Sequence, residues 1–289
     1  MFVVSKSVVA QPSDWPIPSN VCGWFFLNQL DYTPPQNLIS FLQEGAPPVC
    51  INFGSMVLVE RTTFITDAAK AALRCNRRVL LITGYASPPK DLPKNCFCIR
   101  SVPHEYIFNK CCAVIHHGGA GTVARVLEAG VPSIVVPILI GTDQPWWANR
   151  LEELKCGIHV ENHHKGKTIS SKDIEQALQR ALDGGNESIA MHKALQEVAA
   201  GMQREDGVLN FVNAVWNVAD EMETAEVEIF FAGEPVFEPN EHCPCGSKQK
   251  YKNCCASGEK EKTTTTKKKK KKTSVRKRRS SRASSQRRK

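Results

Sequence analysis

Between residues 49 and 160, short apolar bursts alternate with longer stretches in which apolar residues recur every three or four positions. Val49-Cys-Ile-Asn-Phe53, Arg78-Val-Leu-Leu-Ile-Thr83, Cys96-Phe-Cys-Ile-Arg100, Ala113-Val-Ile115 and Gly157-Ile-His-Val160 are brief and rich in β-branched or bulky side chains. Each reads as a buried strand, and so does the run that starts at Ser133. Thr62 to Asn76 carries Phe64, Ile65, Ala68, Ala72 and Leu73 at helical spacing, and Thr122 to Ala129 shows the same period. Further helices are expected from Asp143 to about Lys155, from a Ser170 or Ser171 cap through Leu182, and as one long closing helix from Glu187 to about Ala219. Met1 to Pro18 lacks a period, and its prolines predict an extended linker.

Near-continuous apolar strands alternating with helices imply an α/β fold, a doubly wound Rossmann-like parallel sheet covered on both faces. Ligands of such sheets bind at the carboxyl ends of the strands. Ser55, Val102, His117 and Asp143 each follow an expected strand.

Chemistry concentrates in His116-His-Gly-Gly-Ala-Gly-Thr122, a strand end, a glycine loop and a helix start. Gly118, Gly119 and Gly121 permit positive φ and close approach. The first N–H groups of a helix lack internal partners and lie at the positive end of its dipole, so the turn suits a phosphate. His117 and Thr122 add side-chain donors. Taken alone, such a loop is equally compatible with tight packing in any α/β domain.

The loop is followed in order by Gly130-Val-Pro132, Val136-Pro137 and Asp143-Gln144. Together these motifs resemble the donor-binding signature of nucleotide-sugar-dependent glycosyltransferases with the two-domain GT-B fold. They are most similar to sterol 3-β-glucosyltransferases and to antibiotic glycosyltransferases of the vancomycin and erythromycin type, over roughly residues 10 to 185. The resemblance implies a UDP-sugar, UDP-glucose by the sterol likeness, as donor. Gly118, Gly119, Gly121 and Thr122 would hold its diphosphate with His117 donating to it. Asp143 and Gln144 would bind the sugar hydroxyls. Ser55 would approach the phosphates, and the backbone of Val102 in Ser101-Val-Pro-His104 would meet the uracil. No metal or other cofactor is implied for transfer. Val21-Cys-Gly-Trp-Phe-Phe-Leu27 resembles the family's passage between domains. The chain is thus expected to lack the N-terminal domain, with its pocket for a lipophilic acceptor such as a sterol and its catalytic base, so no catalytic residue is assigned here.

Plainer readings stand beside these roles. His116 is expected to point into the core or orient the loop, because neighbours leaving a strand face opposite ways. Asp143 also suits a helix N-cap with Pro145 in the first turn. Trp146 and Trp147 read as packing or interface aromatics. Plant-type members of the family carry a ribose-binding glutamate three positions after the residue matching Thr122. Arg125 stands there in this chain, a departure shared with sterol-type enzymes.

With 289 residues, 42% of them hydrophobic, the chain is long enough to bury a full core. Its charge is unevenly placed. From Glu259 onward sixteen Lys/Arg face two Asp/Glu, a net of +14 in a chain of net +9, so the rest carries −5. A basic stretch of this kind attracts nucleic acid, anionic membrane or acidic partners, whereas the folded part is mildly acidic. Several of the twelve cysteines lie in expected core strands and no signal segment opens the chain, which predicts free thiols in a reducing compartment. The longest apolar run, near Ser133 to Ile140, is well short of the ~20 residues a membrane helix needs.

Cys243-Pro-Cys-Gly-Ser-Lys-Gln-Lys-Tyr-Lys-Asn-Cys-Cys255 forms a second signal. Cys243, Cys245, Cys254 and Cys255 supply four thiolates in a C-x-C-x8-C-C spacing suited to a closed tetrahedral zinc site. The stretch resembles the SEC-C zinc motif and reads as an attachment module for protein or nucleic acid. The expected domains are a linker remnant at 1–20, a donor-binding domain at 21–222, a linker at 223–240, the zinc module at 241–257 and a disordered Lys/Arg-rich tail at 258–289. Such a chain would be cytoplasmic, and either peripheral at membranes or nuclear by its tail. Two other functional classes are compatible with it. One is a non-catalytic adaptor with a degenerate nucleotide-sugar domain, and the other is one subunit of a split glycosyltransferase.

Overall fold

The computed structural model describes residues 2–15, 20–27, 31–54, 62–93, 95–161 and 169–224. Six short strands form one sheet: β1 (Val49–Asn52), β2 (Val79–Ile82), β3 (Cys96–Ile99), β4 (Ala113–His116), β5 (Ser133–Val135) and β6 (Gly157–His159). All pairings are parallel, in the order β3-β2-β1-β4-β5-β6. The chain winds outward from β1 one way and from β4 the other. The crevice between the carboxyl ends of β1 and β4 is therefore the topological switch point, where sheets of this kind take their ligands.

The strands are apolar on both faces because helices cover both. Val49, Ile51, Val79, Leu81, Ala113 and Ile115 face one core, with α2 (Thr62–Arg74), α6 (Ser171–Leu182) and α7 (Asn186–Gln203) supplying its cover. Cys50, Leu80 and Val114 point the other way, toward Leu38 of α1 (Gln36–Gln43), Ile107 of α3 (His104–Ile107), Phe108 of the following 3-10 turn, and Val126 of α4 (Ala120–Glu128). The helix α5 (Gln144–Glu153) follows the β5 loop and buries Trp147, Ala148 and Leu151.

Several elements depart from the sequence expectations. The closing helix is broken after α7, and α8 (Gly207–Thr224) begins anew. The cause is tertiary. Glu205 turns outward to accept from Ser5 Oγ at 2.9 Å and from Lys6 N at 3.0 Å. Gly207 abuts Gly23 and the Trp24 carbonyl so closely that a Cβ would collide with both. Asp206 then caps the new helix through Leu209 N at 2.9 Å. The one-turn helix α3 and the short helix α1 went unanticipated, since neither is long enough to show a period. The expected extended segment at the start is laid against the domain: Phe2 bridges Val21, and Val8 is wholly buried. Residues Met1–Glu221 group as one compact unit and Met222–Lys289 as another. Among the described residues no helix is long and apolar enough to cross a membrane.

Candidate functional site

At the end of β4 the backbone turns through Gly118 at φ +88°. Gly119 is the extended N-cap of α4, and no side chain caps that helix. The N–H groups of Gly119, Ala120 and Gly121, at the start of this nine-residue helix, are thus left at the switch-point crevice without an acceptor among the described residues, whereas Thr122 N already donates to the Gly119 carbonyl at 2.9 Å. Gly118 is required twice over, by its φ and because a Cβ would stand 3.0 Å from both the Gln144 carbonyl and Val135 Cγ1. Gly121, by contrast, has nothing within 4 Å of where a Cβ would lie, and it is exposed at the helix start. Thr122 lies in the same turn and is buried.

The His117 ring sits between two glycines. A Cβ on Gly54, in the loop after β1, would be 3.2 Å from His117 Cε1, and one on Gly119 would collide with Nε2. Its Nδ1 is buried with no hydrogen-bond partner among the described residues. Burial lowers the His117 pKa, partly offset by the Asp143 carboxylate, so the ring is neutral at pH 7. His116 points inward and is fully buried. Its Nδ1 accepts from Gly118 N at 3.1 Å, while Nε2 has no partner among the described residues. Burial first, then His117 and His104, push its pKa down to about 3.

Asp143 occupies the N-cap position of α5 without its side chain capping the helix. Its Oδ2 accepts from Trp147 Nε1 at 3.0 Å, leaving the exposed carboxylate aimed by a buried indole. Gln144 is buried, and its Oε1 accepts from Ile138 N at 2.8 Å and Leu139 N at 3.0 Å, which folds the β5–α5 loop. Val102 is buried beyond β3, just before Pro103, the residue that precedes α3. The structure thus gathers His117, Gly118, Gly119 and Gln144 around the α4 start, with Asp143 within electrostatic reach of His117. Ser55 and the cysteines at 243, 245, 254 and 255 lie outside the described residues.

Arg125 is committed to neighbouring residues. It donates to Glu128 Oε2 and to the Leu27 carbonyl, each at 2.7 Å, and lies 4.4 Å over the Phe26 ring. The position of the plant-type ribose glutamate is thus given to holding residues 26–27. Trp147 is buried against Trp24, whereas Trp146 is half exposed.

Two residues escaped the sequence reading. Asn52 is 1% exposed; its Oδ1 accepts from Gly54 N at 3.0 Å and its Nδ2 donates to His104 Nε2 at 2.9 Å. His104 stacks on Phe108 at 4.5 Å. A polar residue closing an otherwise apolar strand was the available signal for Asn52. His104 stood in the Ser101-Val-Pro-His104 stretch, where only Val102 had drawn attention.

Comparison with known proteins agrees with this geometry. Residues 79–208 match the family model for the erythromycin biosynthesis protein CIII-like, C-terminal domain, and residues 240–257 match the SEC-C motif. Over 263 residues the chain is 29% identical to a sterol 3-β-glucosyltransferase of Aspergillus fumigatus, covering 86% of this chain and 18% of that protein. Over 154 residues it is 37% identical to the O-mycaminosyltylonolide 6-deoxyallosyltransferase of Streptomyces fradiae, covering 53% and 36%. The structure of the spinosyn forosaminyltransferase SpnP shares the fold, with a TM-score of 0.58 at 18% identity over 71% of this chain and 52% of that one. The chain spans well under half the length of these curated relatives. Its residues 79–208 match an EryCIII-like C-terminal glycosyltransferase domain, the chain is homologous to sterol 3-β-glucosyltransferases, and its sheet has the parallel α/β fold of GT-B glycosyltransferase structures.

Proposed function

We propose that this domain is the donor-binding half of a UDP-glucose-dependent hexosyltransferase acting on a sterol or another lipophilic hydroxyl. The observation that carries the reading is the uncapped start of α4 beside a neutral His117 whose buried Nδ1 has no partner among the described residues. A nucleoside diphosphate answers both. Its oxygens accept from the helix-start N–H groups at Gly119, Ala120 and Gly121, with Thr122 in the same turn and His117 donating from the side. These donors meet the charge that develops on the departing diphosphate as the sugar C1–oxygen bond breaks, where stabilisation lowers the barrier. Asp143, aimed by Trp147, accepts from sugar hydroxyls, with Gln144 holding the adjoining loop. Such a polar site rejects sugars that leave its groups unpaired. Ser55 would complete the phosphate contacts and the Val102 backbone would meet the base. The group that deprotonates the acceptor is assigned to no residue of this chain.

Calorimetric titration of UDP-glucose into the full chain, beside His117→Ala, tests the reading. Saturable binding that the substitution weakens by ~10-fold or more is expected for a lost bond to a charged acceptor. No binding by the demonstrably folded wild-type chain would sink it.

For the C-terminal module we propose one zinc ion held by Cys243, Cys245, Cys254 and Cys255, a reading supported by the SEC-C match and the all-thiolate donor set. Metal analysis of the same purified protein would read close to one zinc per chain; metal-free protein binding none on titration would reject it. The eight described cysteines are all free thiols, which supports a reducing compartment such as the cytoplasm. There the basic tail would bring the domain to acidic partners or to anionic membrane.

A further inference from the structure

The two strands beside the crevice end in the same device. Asn52 closes β1 and its Oδ1 accepts from the N–H two residues on, at Gly54; His116 closes β4 and its Nδ1 accepts from the N–H two residues on, at Gly118. Both glycines are left-handed, at φ +66° and +88°. Asn52 and His116 are also register partners across the β1–β4 pairing, on the face of the sheet shared with Cys50 and Val114. Their exposures are 1% and 0%.

Polar side chains at that depth are costly unless bonded, and each of these two commits its acceptor to a loop N–H at the end of an apolar strand, which gives the pair a specific task even though His116 Nε2 finds no partner among the described residues. The bonds also fix the hydrogens. Because Asn52 Oδ1 accepts, its amino group faces His104 Nε2 at 2.9 Å, and that nitrogen must present a lone pair. Because His116 Nδ1 accepts, its ring carries its hydrogen on Nε2. Burial depresses the pKa of both rings, which keeps them in these neutral forms.

We propose that Asn52 and His116 are a matched pair of positioning residues that hold the two glycine loops in the bent shape needed to receive a nucleoside diphosphate, with His104 orienting the Asn52 amide. The inference rests on the donor-binding reading above. Neither side chain touches the donor. Each acts through the glycine two residues on, and both act before the ligand arrives, so that ordering of the loops is not subtracted from the binding free energy.

The test uses the full chain labelled with 15N-glycine, which has 18 glycines to resolve. Amide exchange at Gly54 and Gly118 is read without ligand, and UDP affinity is read by calorimetry. His116→Asn places a carbonyl oxygen where Nδ1 stands, whereas His116→Gln places its amide near Nε2 and leaves Gly118 N unbonded. The expected result is a ~10-fold faster exchange at Gly118 in His116→Gln, with Gly54 unaffected and with exchange in His116→Asn close to wild type. UDP affinity follows the same order. Equal Gly118 exchange in the two folded variants overturns the proposal. If His116→Gln does not fold, Asn52→Asp, which keeps the acceptor, and Asn52→Leu, which removes it, put the same question to Gly54. There Leu must exchange faster than Asp, and equal rates reject the pair. A wild-type chain that does not bind UDP would remove the donor reading, while the exchange rates would still decide whether the pair holds the loops.

Discussion

His116 makes the domain acid-sensitive by an amount that can be worked out. The ring is fully buried, its Nδ1 is committed to Gly118 N, and its pKa lies at about 3 against an ordinary 6.5. With the folded pKa depressed, the unfolded chain takes up the proton first as pH falls. Stability is therefore complete above 6.5, is lost through the window from 6.5 toward 3, and levels off below it. At pH 5 the ring is about 1.5 units below its unfolded pKa, which converts to a loss of about 2 kcal/mol from this residue. Urea unfolding of the full chain at pH 7.5 and pH 5, beside His116→Asn, reads it. The asparagine variant starts from a lower stability, since it loses ring packing, but it should lose about 2 kcal/mol less than wild type between the two pH values. His104, His117 and His159 also have depressed pKa values from burial and titrate in both proteins, so the difference between slopes belongs to His116. Parallel pH profiles for the two proteins would refute a buried, neutral His116.

Three further outcomes follow from the geometry. Gly119→Ala drives a methyl into the His117 ring although its backbone, at φ −66°, accepts alanine; UDP-glucose affinity should fall ~10-fold in calorimetry with the far-ultraviolet spectrum unchanged, and intact affinity would show that His117 does not need its seat. Gly121→Ala meets no atom within 4 Å and should raise stability by ~0.5–1 kcal/mol in thermal melts while weakening donor binding, since the methyl would lie where the diphosphate approaches; a stabilised variant with wild-type affinity places the phosphates elsewhere. Arg125→Glu sets an acid at the position of the plant-type ribose ligand, yet this side chain faces Phe26 and Leu27. Donor affinity should not improve and the melting temperature should fall by several degrees, whereas tighter UDP-glucose binding would contradict the observed direction of the side chain.

The parallel sheet was legible because β1, β2, β4 and β5 are buried on both faces and read as apolar runs, and the half-buried edge strand β3 keeps the same apolar run. The glycine loop was legible because positive φ and an open helix start need glycine at fixed offsets. What the sequence hid was decided by contacts across long separations. The break before Gly207 depends on Gly23 and Trp24, over 180 residues away, and on Ser5 reaching Glu205. Asn52 and His104 gave no pattern because a hydrogen bond between a strand end and a later loop leaves no period. Gln144 reads in sequence as a sugar ligand beside Asp143, whereas its oxygen proves to be tied to the backbone of its own loop at Ile138 and Leu139. The expected inward turn of His116 is present, and its bond to Gly118 N gives that turn a purpose.

The grip of Arg125 on Phe26 and Leu27 has a mechanical side. Arg125 belongs to α4, the rod whose first turn presents its N–H groups to the crevice, and a helix of nine residues is only ~14 Å long. One end of a short, stiff lever therefore faces the crevice, while a side chain near its middle clasps residues 26–27 of the chain leading in from upstream. A pull on residues 26–27 would therefore be delivered to the first turn of α4 as a tilt rather than absorbed in slack. Movement of that upstream segment would then be felt at the helix start without any loop having to rearrange.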